Sequence, residues 1–497
     1  MNFAVFLEMR ARSAPDEIAL VDKRHRFTWS GLDRAASRFA SLLAARGVRP
    51  GDRVATFMTN RAEMVIAFLG ALKAGAVFLP VNARLQEADL ARVLDHARPA
   101  MVLVTEDRAG LVAAPHADNT IVVDGAAGLL ALLDTMPDDF PMLGRQSHDI
   151  ANIIYSSGTT GMPKAAIHTH GVRLAIAGGM ADHFKLSIHD AALVVSPLFH
   201  IAGLNVLCNA LFAGCKIVLL EKWDLADFLS ILTAERITYM QMVSTILVDI
   251  AAAPASAFAG LDSAVRFTWG GGHNVDTETI TLYEKRIGGV FLQGWGRTEG
   301  GFTYNLLDRD KRRFDTHGKV NTNASEVAVY DHAAGRLAAP GDIGEIVVRG
   351  DGVSPGYWDG DYVRVRPPLE GGWQPTGDLG RFDADGQMHF LGRDDHMIKT
   401  GGENVYPAEV EAVLLDMPEI SDAVVLGLPD PRLGQRIAAV LVPARPGVAA
   451  ADVEAACRRA LAGFKIPRAM AFVDKLPRLG SEKVDLAACR ALLRNAG

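Results

Sequence analysis

The chain has 497 residues, 49% of them hydrophobic and 22% charged, the balance of a soluble globular protein whose length splits into several domains rather than one core. Its net charge of −7, from 51 basic and 58 acidic side chains, supplies no basic field and argues against nucleic acid as a partner. Cys208, Cys215, Cys457 and Cys489 show no C-x-x-C spacing, and no apolar signal core follows Met1, so reduced thiols and a cytoplasmic location are expected.

In chain order, Phe27-Thr28 reads as a strand. Leu32, Ala36, Phe39 and Leu43 then fall at helical spacing with Gly47 as the stop, and Val54 to Met58 reads as the next strand. A second cycle follows: helix from Ala62 to Ala74 ended by Gly75, strand from Val77 to Val81, helix from Leu90 to His96, strand from Met101 to Thr105. Such alternation predicts α/β layering around a largely parallel sheet. No residue between Asp190 and Lys216 is charged, but Pro197, His200, Asn205 and Asn209 interrupt the stretch, which reads as buried pocket wall and not as a membrane span. After Arg312 the rhythm shifts to short strands and turns, Glu326 to Tyr330, Pro340 to Gly344, Glu345 to Arg349 and Gly356 to Trp358, a β-rich subdomain. Beyond Gly392 a compact run, Glu409 to Leu415, Asp422 to Leu428, Ile437 to Val442, Ala451 to Leu461 and Ala471 to Val473, predicts a small α+β domain on a short hinge.

The most specific string is Tyr155-Ser-Ser-Gly-Thr-Thr-Gly-Met-Pro-Lys164, which follows the apolar Ile153-Ile154. Glycines let backbone N–H groups approach a polyphosphate, hydroxyls donate further bonds and the lysine supplies charge. A P-loop NTPase needs Gly-Lys-Ser/Thr opening a helix; here Pro163 precedes Lys164 and Ala165-Ala166-Ile167 follow, so kinase and GTPase chemistry is disfavoured. Further along come Trp269-Gly-Gly-Gly-His273, Gln293-Gly-Trp-Gly-Arg-Thr-Glu299, Thr376-Gly-Asp378, Gly392-Arg393 and Leu476-Pro-Arg-Leu-Gly-Ser-Glu-Lys483. Trp295 offers a ring to a purine, Thr298 a hydroxyl to phosphate, Glu299 a hard oxygen to Mg²⁺ and Asp378 an acceptor to ribose hydroxyls. If the strand runs through them, His168 and His170 would share one face of it, the spacing of a metal pair, though no third ligand is visible in the sequence. Arg297 reads as a structural ion pair before it reads as a clamp on a substrate carboxylate.

Taken in order, these segments and Pro197-Leu-Phe-His-Ile-Ala-Gly203 resemble the signatures of acyl-CoA synthetases in the adenylate-forming superfamily, over nearly the whole chain. The resemblance implies a large N-terminal adenylating domain, residues 1–393, of two α/β lobes with a β-barrel-like subdomain, and a small mobile α+β domain, residues 394–497. It implies Ser156, Ser157, Thr159, Thr160 and Lys164 on the phosphates, Gly271 and Gly272 along the adenine, and Trp295 where the family usually has tyrosine. Thr298 and Glu299 would serve the α-phosphate and Mg²⁺, Asp378 and Arg393 the ribose, Lys483 the adenylation step, and Asp395 the hinge. Lys399, Gly401 and Gly402 would face CoA once the small domain turns. The C-terminal signature departs from the family pattern at Glu482, which stands where a glycine is usual and bears on the rate.

His200, Gly203 and Asn205 with Met242, Val243, Ser244, Thr245 and His273 are the expected acyl-pocket wall. Their small, apolar mixture implies an acid with an uncharged tail, a medium-chain fatty acid or an aryl or arylalkyl acid. The expected reaction uses ATP and Mg²⁺, with CoA as acceptor; a carrier-protein phosphopantetheine is the alternative acceptor. A non-catalytic nucleotide-binding protein is the alternative of a different class.

Overall fold

The computed structural model describes residues 1–156, 164–271, 275, 277–308, 311–320, 324–360, 363–365, 367–400, 403–479 and 484–495, the side chains of Arg364, Asp395, Asn404 and Asn495 excepted. Two large sheets dominate. The first has eight strands, with a parallel block of Arg53–Phe57, Val77–Pro80, Met101–Val104, Thr120–Val122 and Ile150–Ser156. Lys164–Thr169 joins it antiparallel to Ile150–Ser156. The second has nine strands, and its parallel core is Ile18–Val21, Lys216–Leu219, Ala191–Val194, Tyr239–Val243, Phe267–Gly271 and Val290–Gly296.

Between these sheets lies one apolar core, shared by residues of both. Helix Trp29–Ala45 shows how the sequence builds it: Thr28 caps the N-terminus by accepting from Gly31 N–H, and Leu32, Ala36, Phe39 and Leu43 turn one face inward. Burying each such Leu or Phe contributes about 1.5–3 kcal/mol, so Phe39→Ala removes about 3–5 kcal/mol. Helix Ala62–Lys73 is buried on every side, including Glu63 and Lys73. Arg61 holds Glu63 at 2.8 Å and Asp124 at 2.7 Å, while Lys73 reaches Glu8 and Asp33 at 2.9 and 2.7 Å. Buried charge on this helix is therefore paired throughout.

The uncharged stretch after Asp190 forms strand Ala191–Val194 and helix Ile201–Ala213, which is buried nearly all round. No helix among the described residues is long and apolar enough to cross a membrane. All four cysteines are buried and free.

Glu326–Asp331, Arg336–Leu337, Gly344–Arg349, Gln374–Phe382 and Met388–Arg393 form a five-stranded antiparallel sheet, the β-rich subdomain. One expected member lies elsewhere. Gly356–Trp358 pairs with Lys164–Thr169 on the eight-stranded sheet, Tyr357 opposite Ala166 and Trp358 opposite Ala165, and the Arg53 guanidinium lies 5.1 Å from the Trp358 ring centre. The small domain carries the strands Ile398–Thr400, Glu403–Val405, Ile420–Asp430, Gly434–Pro443 and Ala469–Phe472, covered by helices Pro407–Leu415, Ala450–Ala460 and Leu486–Asn495.

Candidate active site

Three adjacent parallel strands of the nine-stranded sheet end together and carry much of the expected site. Tyr239–Val243, Phe267–Gly271 and Val290–Gly296 run side by side, with Val243 in register with Gly271. Ligands of open α/β sheets bind at such carboxyl ends. Ser244 opens the helix that follows, and its hydroxyl donates to the Gly271 carbonyl at 3.5 Å. A Cβ on Gly271 would lie 2.6 Å from the Gly294 carbonyl oxygen, so the backbone here stays bare.

Past Val290–Gly296 the chain turns back through Thr298-Glu299-Gly300 into strand Phe302–Tyr304. Gly300 sits at φ +96°, which a side chain resists, and that permits the reversal just behind Glu299. Glu299 is held three ways: Tyr357 donates its hydroxyl to Oε1 at 2.6 Å, Arg297 pairs with Oε2 at 3.2 Å, and the Glu299 carbonyl accepts from Ser354 N–H at 2.7 Å. Arg297 is thus an ion-pair partner of Glu299, and both line a small crevice with Ser354, Gly356, Tyr357 and Gln374. The Glu299 carboxylate, held in this crevice, offers hard oxygens of the kind Mg²⁺ takes.

Asp378 closes the other flank. Its Oδ2 accepts from Trp295 Nε1 at 3.0 Å and its Oδ1 from Arg393 at 3.1 Å. Burial raises the Asp378 pKa, while Arg297, Arg393 and the indole N–H pull it back down. Trp295 is 6% exposed and packs with Val327, Ile346, Val348, Val353 and Met388. The N–H that joins Trp295 to Asp378 is a donor that a tyrosine ring lacks.

Ser156 and Lys164 face each other across the hairpin at the base of the phosphate loop, the Ser156 hydroxyl donating to the Lys164 carbonyl at 3.4 Å. A strand, not a helix, follows Lys164. Ser157, Thr159, Thr160, Gly272, His273, Gly401, Gly402 and Lys483 lie outside the described residues, as does the Asp395 side chain. His200 caps helix Ile201–Ala213, its Nδ1 accepting from Ala202 N–H at 3.2 Å. Gly203 is needed for packing, since a Cβ there would fall on the Ser196 and Pro197 carbonyl oxygens. Asn205 is buried and accepts from Arg173 at 2.8 Å. Lys399 is exposed, with its N–H on Gln435.

The two histidines read as a metal pair on one strand face do not share a strand: Lys164–Thr169 carries His168 and ends before His170, which opens helix His170–His183, so they do separate work. His168 hydrogen-bonds Asn152 and the Thr298 carbonyl, whereas the His170 Nδ1 accepts from Phe3 N–H at 3.1 Å. Burial lowers the His170 pKa to about 4, so its ring is neutral. Tyr357, Asn152 and Arg173 were not singled out by spacing; their partners lie far away in the chain.

A two-sheet α/β body with these groups at its strand ends, followed by a small α+β domain, is the architecture expected of an adenylate-forming enzyme. The "AMP-binding enzyme" family model matches residues 7–358, and the "AMP-binding enzyme C-terminal domain" model matches 409–483. Over 479 residues the chain is 36% identical to feruloyl-CoA synthase of Amycolatopsis sp, covering 96% of each protein. Its fold is similar to ATP-bound MatB from Rhodopseudomonas palustris, with TM-score 0.87, 28% identity and 99% of each chain covered. It is also similar to o-succinylbenzoate CoA synthetase from Bacillus subtilis in complex with its acyl-adenylate, with TM-score 0.83, 28% identity and 96% of each chain covered. The chain belongs to the AMP-binding enzyme family and, within it, to the acyl-CoA synthetases, which are AMP-forming acid–CoA ligases.

Proposed function

We propose that this ligase activates an acid with an uncharged tail, a medium-chain fatty acid or an aryl or arylalkyl acid. What supports this is that the residues expected to wall the acyl pocket, His200 and helix Ile201–Ala213 with Met242, Val243 and Ser244, include no charged side chain. The arginine next to that helix, Arg173, is already engaged by the side-chain carbonyls of Asn152 and Asn205. Among the described residues of this wall no cation stands to meet a second carboxylate on the substrate, which would be desolvated there. The similarity to a feruloyl-CoA synthase supports an aryl acid.

The site residues take these roles in our reading. Thr159, Thr160 and Lys164 hold the β- and γ-phosphates, with Ser156 and Ser157 also binding the nucleotide; Gly271 and Gly272 serve the adenine, and Trp295 offers it a stacking ring. Asp378 and Arg393 take the ribose. Thr298 would serve the α-phosphate and Glu299 would hold Mg²⁺, which when bound neutralises phosphate charge. Lys483 bridges the two anions as a substrate carboxylate oxygen bonds to the α-phosphorus and pyrophosphate leaves, a step whose barrier is mainly charge repulsion and positioning. The CoA thiol then attacks the acyl carbonyl and AMP leaves. Lys483 has no part in that second step, so a small domain of residues 394–497 turning about Asp395 would withdraw it and bring Lys399, Gly401 and Gly402 to CoA.

Pyrophosphate release across fatty, aryl and dicarboxylic acids, with and without CoA, tests the reading when the thioester is confirmed by mass. Release with fatty or aryl acids and thioester only with CoA supports it. Turnover confined to dicarboxylic acids overturns the tail assignment, and an acyl-adenylate that accumulates despite CoA points to a carrier protein as acceptor.

A further inference from the structure

His168 belongs to a buried polar chain that runs from the core to the turn carrying Glu299. Arg173 donates from Nη1 to the Asn205 Oδ1 at 2.8 Å and from Nε to the Asn152 Oδ1 at 2.7 Å. Asn152 Nδ2 lies 3.3 Å from His168 Nδ1, and His168 Nε2 lies 2.7 Å from the Thr298 carbonyl oxygen. Asn152, His168 and Arg173 are each 0% exposed.

The direction of every bond follows from one end. A guanidinium only donates, so the Asn152 oxygen must face Arg173 and its NH₂ must face His168. His168 Nδ1 then accepts, which leaves the proton on Nε2 and aims it at the Thr298 carbonyl. In a trans peptide the N–H of Glu299 points opposite to the carbonyl of Thr298, so fixing one fixes the other. Ser354 pins the next peptide by donating to the Glu299 carbonyl.

We propose that Arg173, Asn152 and His168 are positioning residues that set the Thr298–Glu299 peptide, and through it the Glu299 carboxylate, for the metal–nucleotide complex. The inference rests on the reading of Thr298 and Glu299 given above. It assigns catalytic consequence to three buried side chains outside the residues expected to contact ATP or the acid.

The test compares His168→Phe, His168→Asn and His168→Gln. Asparagine can still meet Asn152 but is too short to reach Thr298, whereas glutamine places an amide N–H near the Nε2 position. Expected for Phe and Asn is an adenylation kcat lower by about tenfold or more and a severalfold higher Mg²⁺ requirement for ATP binding at equilibrium, with KM for the acid little changed. Glutamine should recover most of the loss. If Phe does not fold, the Asn and Gln pair carries the comparison, with melting curves for both. Wild-type kcat and Mg²⁺ dependence in His168→Asn overturns the proposal. Glu299→Gln separates the two readings: full activity there removes the underlying assignment, while loss there with an unaffected His168→Asn removes only this inference.

Discussion

Replacing Trp295 by Phe keeps an aromatic ring in the β-rich core and deletes one hydrogen bond, the 3.0 Å contact from Nε1 to Asp378. Asp378 is 6% exposed, so the lost donor is not readily replaced by water, and Arg393 at 3.1 Å remains as its principal partner. Hydrogen bonds to buried charged groups contribute about 1.5–3 kcal/mol, and the remaining arginine places this one near the lower end. If all of a loss of about 1.5–2 kcal/mol fell on the preorganisation of Asp378 for ribose, nucleotide binding would weaken by roughly 10- to 30-fold, which is the upper bound expected. The pH profile moves too. The indole N–H lowers the Asp378 pKa against the upward push of burial, so its removal raises that pKa further and the acid-side loss of binding begins at higher pH. Calorimetric titration of Mg–ATP into folded variant between pH 5 and 8, with melting curves as control, measures both effects. Unchanged affinity and an unchanged acid limb, in a protein where Asp378→Asn does weaken binding, would refute the reasoning.

Lys483→Ala should abolish acid-dependent pyrophosphate release while leaving ATP binding within about twofold and thioester formation from supplied acyl-adenylate largely intact; equal loss in both half-reactions would contradict the role proposed for Lys483. Arg61→Met strands the Glu63 carboxylate, which is 2% exposed, and should cost about 3–5 kcal/mol, read as a lowered denaturation midpoint. Stability should also fall on acidification. His170 and His317 are buried with pKa values lowered to about 4, so between about pH 6.5 and 4 the unfolded chain binds protons that the native protein does not. Each contributes a loss of about 1.4 kcal/mol per pH unit in that window, and His170→Gln should flatten the dependence measured by urea denaturation.

Much of this architecture is legible because its signals are local. Leu32, Ala36, Phe39 and Leu43 repeat at helical spacing, and Thr28 and Gly47 mark the limits of that helix. The Ser/Thr/Gly loop ending at Lys164 advertises phosphate by residue type, and the apolar run after it is the strand that excludes a P-loop. Helix Ile201–Ala213 was harder to read, since a helix buried all round has no polar face to reveal its period and His200 is an unusual cap. Gly356–Trp358 has the composition of its neighbours in sequence, yet its hydrogen bonds go to Lys164–Thr169, a pairing no short pattern encodes. The Arg173–Asn152–His168 chain shows the same limit. Its members lie on two strands and a helix, and only tertiary contact aligns their donors and acceptors.

The way the two large sheets borrow strands has a bearing on synthesis. Ile18–Val21 leaves the ribosome early but pairs with Lys216–Leu219, and the edge strand Lys164–Thr169 waits for Gly356–Trp358 and Val363–Val365. A nascent chain halted between these points displays an unpaired edge and an unfilled core, the features that recruit chaperones or seed aggregates. The eight-stranded sheet is therefore completed only late in translation, once Gly356–Trp358 has emerged to pair with Lys164–Thr169.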